Sequence, residues 1–279
     1  MSQDPQIAYA GEPGAFAEDA VLAVFPDAPR NSVGGFRAVF EAVTAGSADA
    51  GVIPIENVVN GTVRENYDLL LEHDLEIVSE VVVPVRLCLA ALPGQGIEHI
   101  DRVYSHIQAL GQAEAFLRTH PWQLLTTYNT AGAGKSIVDR AETRAAAVLS
   151  PRAAELFGLD VLAEDIQDVS DNRTRFLLLS RRDGSWRPPP VEPMRTTLAL
   201  AVRNEPGTLL AVLDVFARHG LNMSKLESRP SRERAWEYVF WIDLDADAGG
   251  PATQSALGEL AGVTTMLRVL GSYPRAAAG

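Results

Sequence analysis

The chain has 279 residues, of which 47% are apolar, and a formal net charge of −12 at pH 7. This length indicates about two domains and a sizeable core. The acidic balance argues against nucleic acid or an anionic membrane as a partner, because both need basic patches, whereas an anionic substrate needs only a locally positive site.

Cysteine and histidine usage excludes two further classes. Cys88 is the only cysteine, so no disulfide can form within the chain, which suits a reducing compartment. The five histidines are scattered without metal-ligand spacing, and we predict neither a metal site nor a cofactor. Residues 1–5 have no basic region and no apolar stretch after them, and no apolar run approaches the ~20 residues that span a bilayer. We therefore expect a cytoplasmic protein without a membrane partner.

The chain begins with a strand, a turn and a helix. Residues 7–10 predict a short buried strand, residues 11–14 a glycine-rich turn, and Ala15 the start of a helix. This order can aim backbone N–H groups at an anion, although a plain tight turn fits the residues equally well. The glycines do not form a dinucleotide fingerprint, because the third glycine is missing.

A second helix and strand follow. The apolar residues between 36 and 43 have helical spacing, and residues 49–54 predict a buried strand. Residues 55–63 are interpreted as a loop after that strand, and they carry the carboxylate of Glu56 and the amide of Asn57. Open α/β sheets bind ligands at such carboxyl ends of strands.

Residues 76–92 form a long valine-rich run, which is too long for one ordinary strand and contains Pro84. We interpret it as the crossover into a second lobe. Beyond it we predict strands over 102–105, 122–128 and 145–149, and helices over 108–120, from 130 onward with Thr130 as N-cap, and from 151 to 158.

The stretch from Asp171 to Phe176 runs into an apolar strand that begins at Leu177. Thr174 offers a hydroxyl for proton donation, and Arg175 offers a guanidinium that can hold a carboxylate through two hydrogen bonds. A polar loop that simply enters a core strand has the same spacing, so the residues alone leave both interpretations open.

A linker at residues 181–193 contains three successive prolines and separates a shorter C-terminal region. Strands are predicted over 196–203, 221–229, 236–244 and 263–270, and helices over 209–216 and 252–261. This order is a βαββαβ unit of ferredoxin-like type. A small module on a proline linker suggests regulation, although an inert dimerisation domain has the same pattern.

Several of these stretches together resemble one family, prephenate dehydratase. The matching motifs are Gly11-Glu12-Pro13-Gly14-Ala15-Phe16, Pro54-Ile55-Glu56-Asn57, Val103-Tyr104-Ser105-His106, Asn129-Thr130-Ala131-Gly132-Ala133 and Asn172-Arg173-Thr174-Arg175-Phe176. Two further stretches, 204–210 and 226–230, look like an ACT domain of the phenylalanine-sensing kind. The motifs span nearly the whole chain in the family's order.

The resemblance implies a fold and a division of the chain. It implies a two-lobed α/β catalytic domain, similar to periplasmic-type binding proteins, with the active site between the lobes and a C-terminal βαββαβ ACT domain. We expect the catalytic domain at 1–182, with lobe 1 at about 1–78 plus 174–182 and lobe 2 at about 79–173, the linker at 183–194 and the ACT domain at 195–279.

The resemblance also implies an activity, the decarboxylating dehydration of prephenate to phenylpyruvate in L-phenylalanine biosynthesis. Thr174 is then the expected catalytic hydroxyl and Arg175 the expected anion holder. Phe176 packs near the substrate ring or in the core. The other expected substrate-binding residues are Gly14, Glu56, Asn57, Thr130 and Ala131, with Glu56 as a support rather than a contact.

L-Phenylalanine is the expected effector, bound at a subunit interface of a homodimer or homotetramer. The expected effector-binding residues are Asn204, Pro206, Gly207, Thr208, Leu209, Leu210, Glu227, Ser228, Arg229 and Pro230.

The sequence departs from the family's pattern at five positions, which are Ala15, Ala17, Val58, Leu87 and Ile107. Hydroxyl contacts at 15, 17 and 58 and a histidine role at 87 are therefore not carried over. Two alternatives stay open: an arogenate dehydratase, whose substrate has an amino group in place of the keto group, and a non-catalytic two-lobed small-molecule sensor with an ACT domain.

Overall fold

The structure of the protein is a computed structural model that describes residues 5–184, 186–189, 191–231 and 237–276. The predicted strand start at Trp236, Ser185 and Pro190 of the predicted linker, and both chain ends lie outside the described residues. The chain divides into two compact units, one formed by Met1–His73 and Val81–Leu178 and the other by Asp74–Glu80 and Leu179–Gly279.

The first part of the chain alternates strands and helices, as predicted. Its elements are β1 Ile7–Ala10, α1 Phe16–Val24, β2 Arg30–Val33, α2 Phe36–Thr44, β3 Ala50–Asn57, β4 Gly61–Thr62, α3 Arg64–Glu72, β5 Leu75–Pro84, β6 Cys88–Ala91, a 3-10 helix at Ile97–His99, β7 Arg102–Ser105, α4 Ile107–Gln112, α5 Glu114–Leu117, β8 Gln123–Thr126, α6 Thr130–Asp139, β9 Ala145–Leu149, α7 Pro151–Leu156, β10 Asp160–Ala163 and β11 Arg173–Arg181.

One sheet has the strand order β2-β1-β3-β11-β5, with β4 paired to β3. β1 lies parallel to β2 and β3, and α2 packs on β1 and β3. Val39, Phe40 and Val43 of α2 are fully buried, because their spacing places them on one face of the helix.

A second sheet has the order β10-β6-β9-β7-β8. β7 lies parallel to β8 and β9, while β6 lies antiparallel to β9. All of Ala145–Leu149 is buried, because separate apolar clusters cover the two faces of this sheet. Two sheets with their own cores confirm the two-lobed α/β architecture, and β5 ends at Pro84 between them, as predicted.

Four local predictions were wrong. β3 continues to Asn57, because Glu56 and Asn57 pair with β4, so these two residues lie in a strand and not in a loop. The helix over 108–120 is broken at Ala113 into α4 and α5. The N-cap of α6 is Asn129, whose Oδ1 accepts from Gly132 N at 3.0 Å, and Thr130 is the first helical residue.

The fourth error concerns the start of β11, which begins at Arg173 and not at Leu177. Residues 173–176 alternate between half-buried and buried positions. This is the pattern of a strand with one covered face, so the polar side chains of this stretch belong to the strand itself.

The C-terminal elements are β12 Met194–Ala201, α8 Thr208–Arg218, β13 Met223–Pro230, β14 Tyr238–Leu244, α9 Pro251–Val263 and β15 Met266–Pro274. The strands form an antiparallel sheet in the order β13-β14-β12-β15. The core of this region includes Leu198, Val212, Phe216 and Leu260 from the sheet and both helices. The predicted βαββαβ unit is confirmed.

The short segment Asp74–Glu80 belongs to the same unit as the C-terminal sheet. Glu80 and Arg195 form a buried ion pair, with Arg195 Nη1 at 2.9 and 2.8 Å from the two carboxylate oxygens. Glu80 Oε1 also accepts from Ala276 N at 2.9 Å. Loss of Arg195 alone would leave a buried carboxylate without its charged partner, which is costly.

Within the described ranges, no helix is both long and apolar enough to cross a membrane. The same residues contain no group of three or more His, Cys, Asp or Glu side chains arranged to hold a metal ion.

Candidate active site

A cavity of about 680 Å³ lies in the first unit and is lined by residues of the first sheet and by residues that follow strands of the second sheet. Its walls follow the carboxyl ends of β1, β2 and β3 in one lobe and of β7 and β8 in the other. Ligands of open α/β sheets bind at this edge. The cavity is therefore the candidate active site.

The structure brings four of the eight predicted catalytic and substrate-binding residues to this cavity. Asn57, Thr130, Thr174 and Phe176 line it. Phe176 is 2% exposed, so the same ring is a core residue and part of the cavity wall.

The other predicted residues do not line the cavity. These are Gly14, Glu56, Ala131 and Arg175. Successive side chains of a strand point to opposite faces, so Arg175 cannot share the face of Thr174 and Phe176. The structure therefore does not support the predicted hydrogen bonds of Arg175 to a substrate carboxylate. The same alternation directs Glu56 and Asn57 of β3 to opposite faces.

Gly14 makes hydrogen bonds within the protein rather than lining the cavity. Its N–H donates to Glu18 Oε2 at 2.7 Å, and its carbonyl accepts from Ser150 Oγ at 3.1 Å. The Glu18 carboxylate also accepts from Arg30 at 2.7 Å and from Arg152 at 2.8 Å. Burial alone raises the pKa of Glu18, but these donors outweigh it and hold the pKa below its ordinary value. Gly14 thus has no N–H left for a substrate.

Thr174 and Asn57 form the polar centre of the cavity. Both are 8% exposed, and Asn57 Nδ2 lies 3.0 Å from Thr174 Oγ1. Since an amide nitrogen only donates, the Thr174 oxygen is the acceptor in this bond. The proton of the Thr174 hydroxyl therefore stays available for a group inside the cavity.

Two buried amides extend this network and were missed as site residues. Asn57 Nδ2 donates to Asn172 Oδ1 at 2.8 Å, and Asn172 Nδ2 donates to Gln112 Oε1 at 2.9 Å. Gln112 lines the cavity, whereas Asn172 lies behind the wall. A glutamine on the buried face of a short helix beside Ala109 and Leu110 was the available sequence signal.

His106 also lines the cavity and was quoted only as part of a motif. It is the N-cap of α4, where Nδ1 accepts from Gln108 N at 3.3 Å. Burial lowers the pKa of His106, because it penalises the charged imidazolium. A neutral ring that accepts at Nδ1 carries its proton at Nε2.

Three helix N-termini lie at the cavity wall. The N-cap residues of α1, α2 and α3 are Ala15, Gly35 and Val63, and none of them caps its helix with a side chain. All three line the cavity. The first N–H groups of a helix lack internal partners and carry partial positive charge, so uncapped N-termini are suited to bind an anion.

Charged side chains add little positive charge to the wall. Among the described residues that line the cavity there is no lysine or arginine, but there are two carboxylates, Glu12 and Glu65. Glu12 accepts from Tyr128 Oη at 3.0 Å and lies 3.7 Å from Lys135 Nζ.

The positions that depart from the family's pattern lie in different surroundings. Ala15, Ala17 and Leu87 line the cavity, so a missing hydroxyl or imidazole at these positions changes its wall. Val58 is 64% exposed and does not line the cavity.

The predicted effector residues lie in the second unit. The first of them form the turn before α8 and its first helical residues, and Gly207 is the N-cap with a φ of +86°. The others lie on β13, an outer strand of its sheet. Leu210 is 69% exposed and Leu226 46% exposed, so apolar surface is available for a ligand or a second subunit.

Comparisons with known proteins identify both regions of the chain. Residues 7–184 match the profile of the family described as prephenate dehydratase, and residues 196–262 match the profile described as ACT domain. A protein of Arabidopsis thaliana described as arogenate dehydratase/prephenate dehydratase 1, chloroplastic, is 39% identical over 283 residues, which cover 96% of this chain and 72% of that protein.

Two solved structures cover almost the whole chain. One is described as prephenate dehydratase in complex with L-Phe from Arthrobacter aurescens; it has a TM-score of 0.87 and 34% identity, and the match covers 97% of this chain and 90% of that one. The other is described as a novel type of quorum quenching acylase; it has a TM-score of 0.88 and 31% identity, and the match covers 98% of both chains.

Proposed function

The chain belongs to the prephenate dehydratase family and carries an ACT domain, and from this premise we propose that it converts prephenate to phenylpyruvate, CO2 and water under the control of L-phenylalanine. One observation carries the proposal. A nearly buried threonine hydroxyl, Thr174, accepts from Asn57 and keeps its own proton for a cavity rimmed by uncapped helix N-termini.

The reaction needs a proton at the leaving hydroxyl. The ring carboxylate departs as CO2, the electrons of its bond enter the ring, the C–O bond breaks, and the hydroxyl takes up a proton to leave as water. Thr174 supports this step as a hydrogen-bond donor and proton relay, because an alcohol is too weak an acid to give up its proton for long. Orientation and desolvation in the cavity supply much of the remaining acceleration.

The substrate carries two carboxylates, which need positive potential. The uncapped N-termini of α1, α2 and α3 offer backbone N–H donors at the cavity wall. We assign carboxylate binding to these N-termini and not to Arg175, which does not line the cavity. Backbone donors are preorganised, so they stabilise a fixed dianion without losing side-chain entropy.

Arogenate is the second candidate substrate, and one feature of the cavity favours it. Arogenate has an ammonium group where prephenate has a keto group. Glu12 and Glu65 line the cavity, and a carboxylate attracts an ammonium group more strongly than a carbonyl. The Arabidopsis relative is named for both activities.

An acylase activity finds no comparable support. Amide hydrolysis by a threonine needs a base that takes the proton of the attacking hydroxyl. The described hydrogen-bond partner of the Thr174 hydroxyl is the amide donor of Asn57, so the oxygen is engaged as an acceptor.

We further propose that L-phenylalanine binds in the ACT domain at an interface between subunits of a homodimer or homotetramer. The exposed side chains of Leu210 and Leu226 support an apolar contact there, and the N-terminus of α8 suits the carboxylate of an amino acid. β13 is an outer strand of the described sheet, and outer strands can pair with a second chain. The single, buried cysteine supports a cytoplasmic location.

Turnover of both substrates by the purified protein tests the proposal. We expect phenylpyruvate from prephenate, reduced when L-phenylalanine is present, and no hydrolysis of an N-acyl amide. Faster turnover of arogenate would favour the second candidate. A protein that turns over neither substrate but binds L-phenylalanine would be the non-catalytic sensor.

A further inference from the structure

The strongest feature outside the assigned residues is the buried amide of Asn172. It is 2% exposed and lies behind the cavity wall, between two side chains that reach the cavity network. The backbone carbonyl of Asn172 accepts from Val85 N at 2.8 Å, which fixes the main chain at this position. Resting on the proposed function, we infer that Asn172 is a positioning residue that makes Gln112 a hydrogen-bond donor towards the substrate.

The direction of the amide chain is set at Asn57. Its Oδ1 accepts from Val59 N at 3.0 Å and from Asn60 N at 2.8 Å. A backbone N–H can only donate, so the oxygen end of the Asn57 amide is fixed by the main chain. The nitrogen end then faces three acceptors, which are Asn172 Oδ1 at 2.8 Å, the Arg173 carbonyl at 3.0 Å and Thr174 Oγ1 at 3.0 Å.

The orientation of the Asn57 amide in turn fixes the orientation of the Asn172 amide. Because its oxygen receives the Asn57 donor, its Nδ2 faces Gln112 Oε1 at 2.9 Å. The oxygen of Gln112 is thereby occupied, and its Nε2 is the end left for the cavity that Gln112 lines. Both ends of the network, the Thr174 hydroxyl and the Gln112 amide, thus offer donors to an oxygen-rich anion.

Burial makes this direction costly to reverse. A flipped amide at Asn172 would set oxygen against oxygen at one end and nitrogen against nitrogen at the other. An unmade hydrogen bond of a buried group costs more than the net gain of forming one. Because Asn172 does not line the cavity, it acts through Gln112 and does not touch the substrate itself.

The test uses Asn172→Asp, which changes one donor into an acceptor with little change of shape. The carboxylate still accepts from Asn57, but Gln112 must turn its Nε2 towards residue 172 and present its oxygen to the cavity. We expect the KM of the active substrate and the Kd of phenylpyruvate, measured by titration calorimetry, to rise about ten-fold or more, with a smaller change in kcat.

A double-mutant cycle with Gln112→Met separates positioning from general damage. If Asn172 acts through Gln112, Asn172→Asp changes the Kd of phenylpyruvate less than about two-fold in the Gln112→Met background. Additive effects would overturn the inference. Because phenylpyruvate binding does not require turnover, a protein that binds it but converts neither substrate would refute the proposed function and still decide this point.

Gln112→Glu provides a second variant in case Asn172→Asp does not fold. Glutamate accepts from Asn172 and puts a carboxylate oxygen into the cavity, so we expect weaker phenylpyruvate binding than in Gln112→Met by about ten-fold. Equal binding by the two variants would contradict a donor role. Thr197→Val is the control, because Thr197 is a buried residue of the second unit whose Oγ1 donates to Asp243 Oδ1 at 2.7 Å and which does not line the cavity; it should lower the melting temperature and leave the Kd within about two-fold.

Discussion

The side chains at the cavity act through the direction of their hydrogen bonds. Thr174 and Asn57 both lie in strands, and their 3.0 Å contact places an amide donor on the hydroxyl oxygen. The direction of this bond follows from main-chain donors at Val59 and Asn60, so the protein sets it without a ligand. The chemistry assigned to Thr174 rests on this preorganisation.

Replacing the hydroxyl tests that role. We expect Thr174→Ala to lower kcat for the active substrate about 100-fold or more, because it removes the hydroxyl that accepts from Asn57 and donates into the cavity. Thr174→Ser retains the hydroxyl and should stay within about ten-fold of the wild type. Near wild-type turnover by purified Thr174→Ala would show that the catalytic group lies elsewhere.

His106 predicts a pH dependence of stability. Its pKa is lowered from 6.5 by burial, so the unfolded chain binds a proton at this site before the folded chain does. The contribution of the neutral ring is present above about pH 6.5 and is lost as the pH falls below it. His106→Asn keeps an N-cap side chain but does not titrate.

Melting curves measured from about pH 7.5 to about pH 5 check this expectation. The melting temperature of the wild type should fall more steeply below pH 6.5 than that of His106→Asn. Parallel curves for the two proteins would mean that His106 titrates alike in the folded and unfolded chains.

At the scale of elements, the alternation of side chains along a strand decides which predicted site residues face the cavity. The motif containing Thr174 and Arg175 was predicted to lie before a strand that begins at Leu177, where neighbouring side chains can share a direction. β11 begins at Arg173, and a strand sends Thr174 and Arg175 to opposite faces. The start of a strand depends on pairing with distant partners, which local residues do not reveal.

The turn between β1 and α1 contains Gly14, and we expect its substitution to destabilise the fold. Gly14 has a φ of +87°, and a Cβ there would lie 2.8 Å from Ala153 Cβ and 2.9 Å from Ala153 Cα. Gly14→Ala combines left-handed strain with a clash against main chain, so we expect a loss of about 2–4 kcal/mol in the free energy of unfolding.

Gly61→Ala is the control for Gly14→Ala. Gly61 has a φ of +73°, and no heavy atom lies within 4 Å of a Cβ placed there. Strain alone should cost about 1–2 kcal/mol. Equal losses in the two variants, measured by chemical denaturation, would show that the contact with Ala153 relaxes without cost.

At the scale of the whole molecule, the division of the chain changes how the effector role can be tested. Deletion of residues 190–279 is the obvious experiment from the sequence. The structure shows that this cut removes Arg195 and Ala276, which both donate to the Glu80 carboxylate. Residues 74–80 belong to the same compact unit as the deleted elements, so the cut exposes the buried side chains of Leu75 and Ile77, and we expect the shortened chain to be destabilised.

A substitution in the full chain is therefore the sharper test of the effector site. Leu210 is 69% exposed at the start of α8, so Leu210→Ala should change the free energy of unfolding by less than about 0.5 kcal/mol. We expect the L-phenylalanine concentration for half-maximal response to rise about ten-fold, read from the ratio of activities with and without the effector. An unchanged value would remove Leu210 from the predicted site.

The sequence by itself determined the two α/β lobes, the βαββαβ unit and the family, because apolar periodicity, turn residues and ordered motifs are local features of the chain. It also identified Asn57, Thr130, Thr174 and Phe176, which line the cavity. Only the tertiary structure decided that Arg175 does not line the cavity, that helix N-termini line it while no described lining residue is an arginine or lysine, and that Asn172 and Gln112 complete the amide network. The physical reason is that side-chain direction and hydrogen-bond partners are set by strand pairing and packing between residues far apart in the chain.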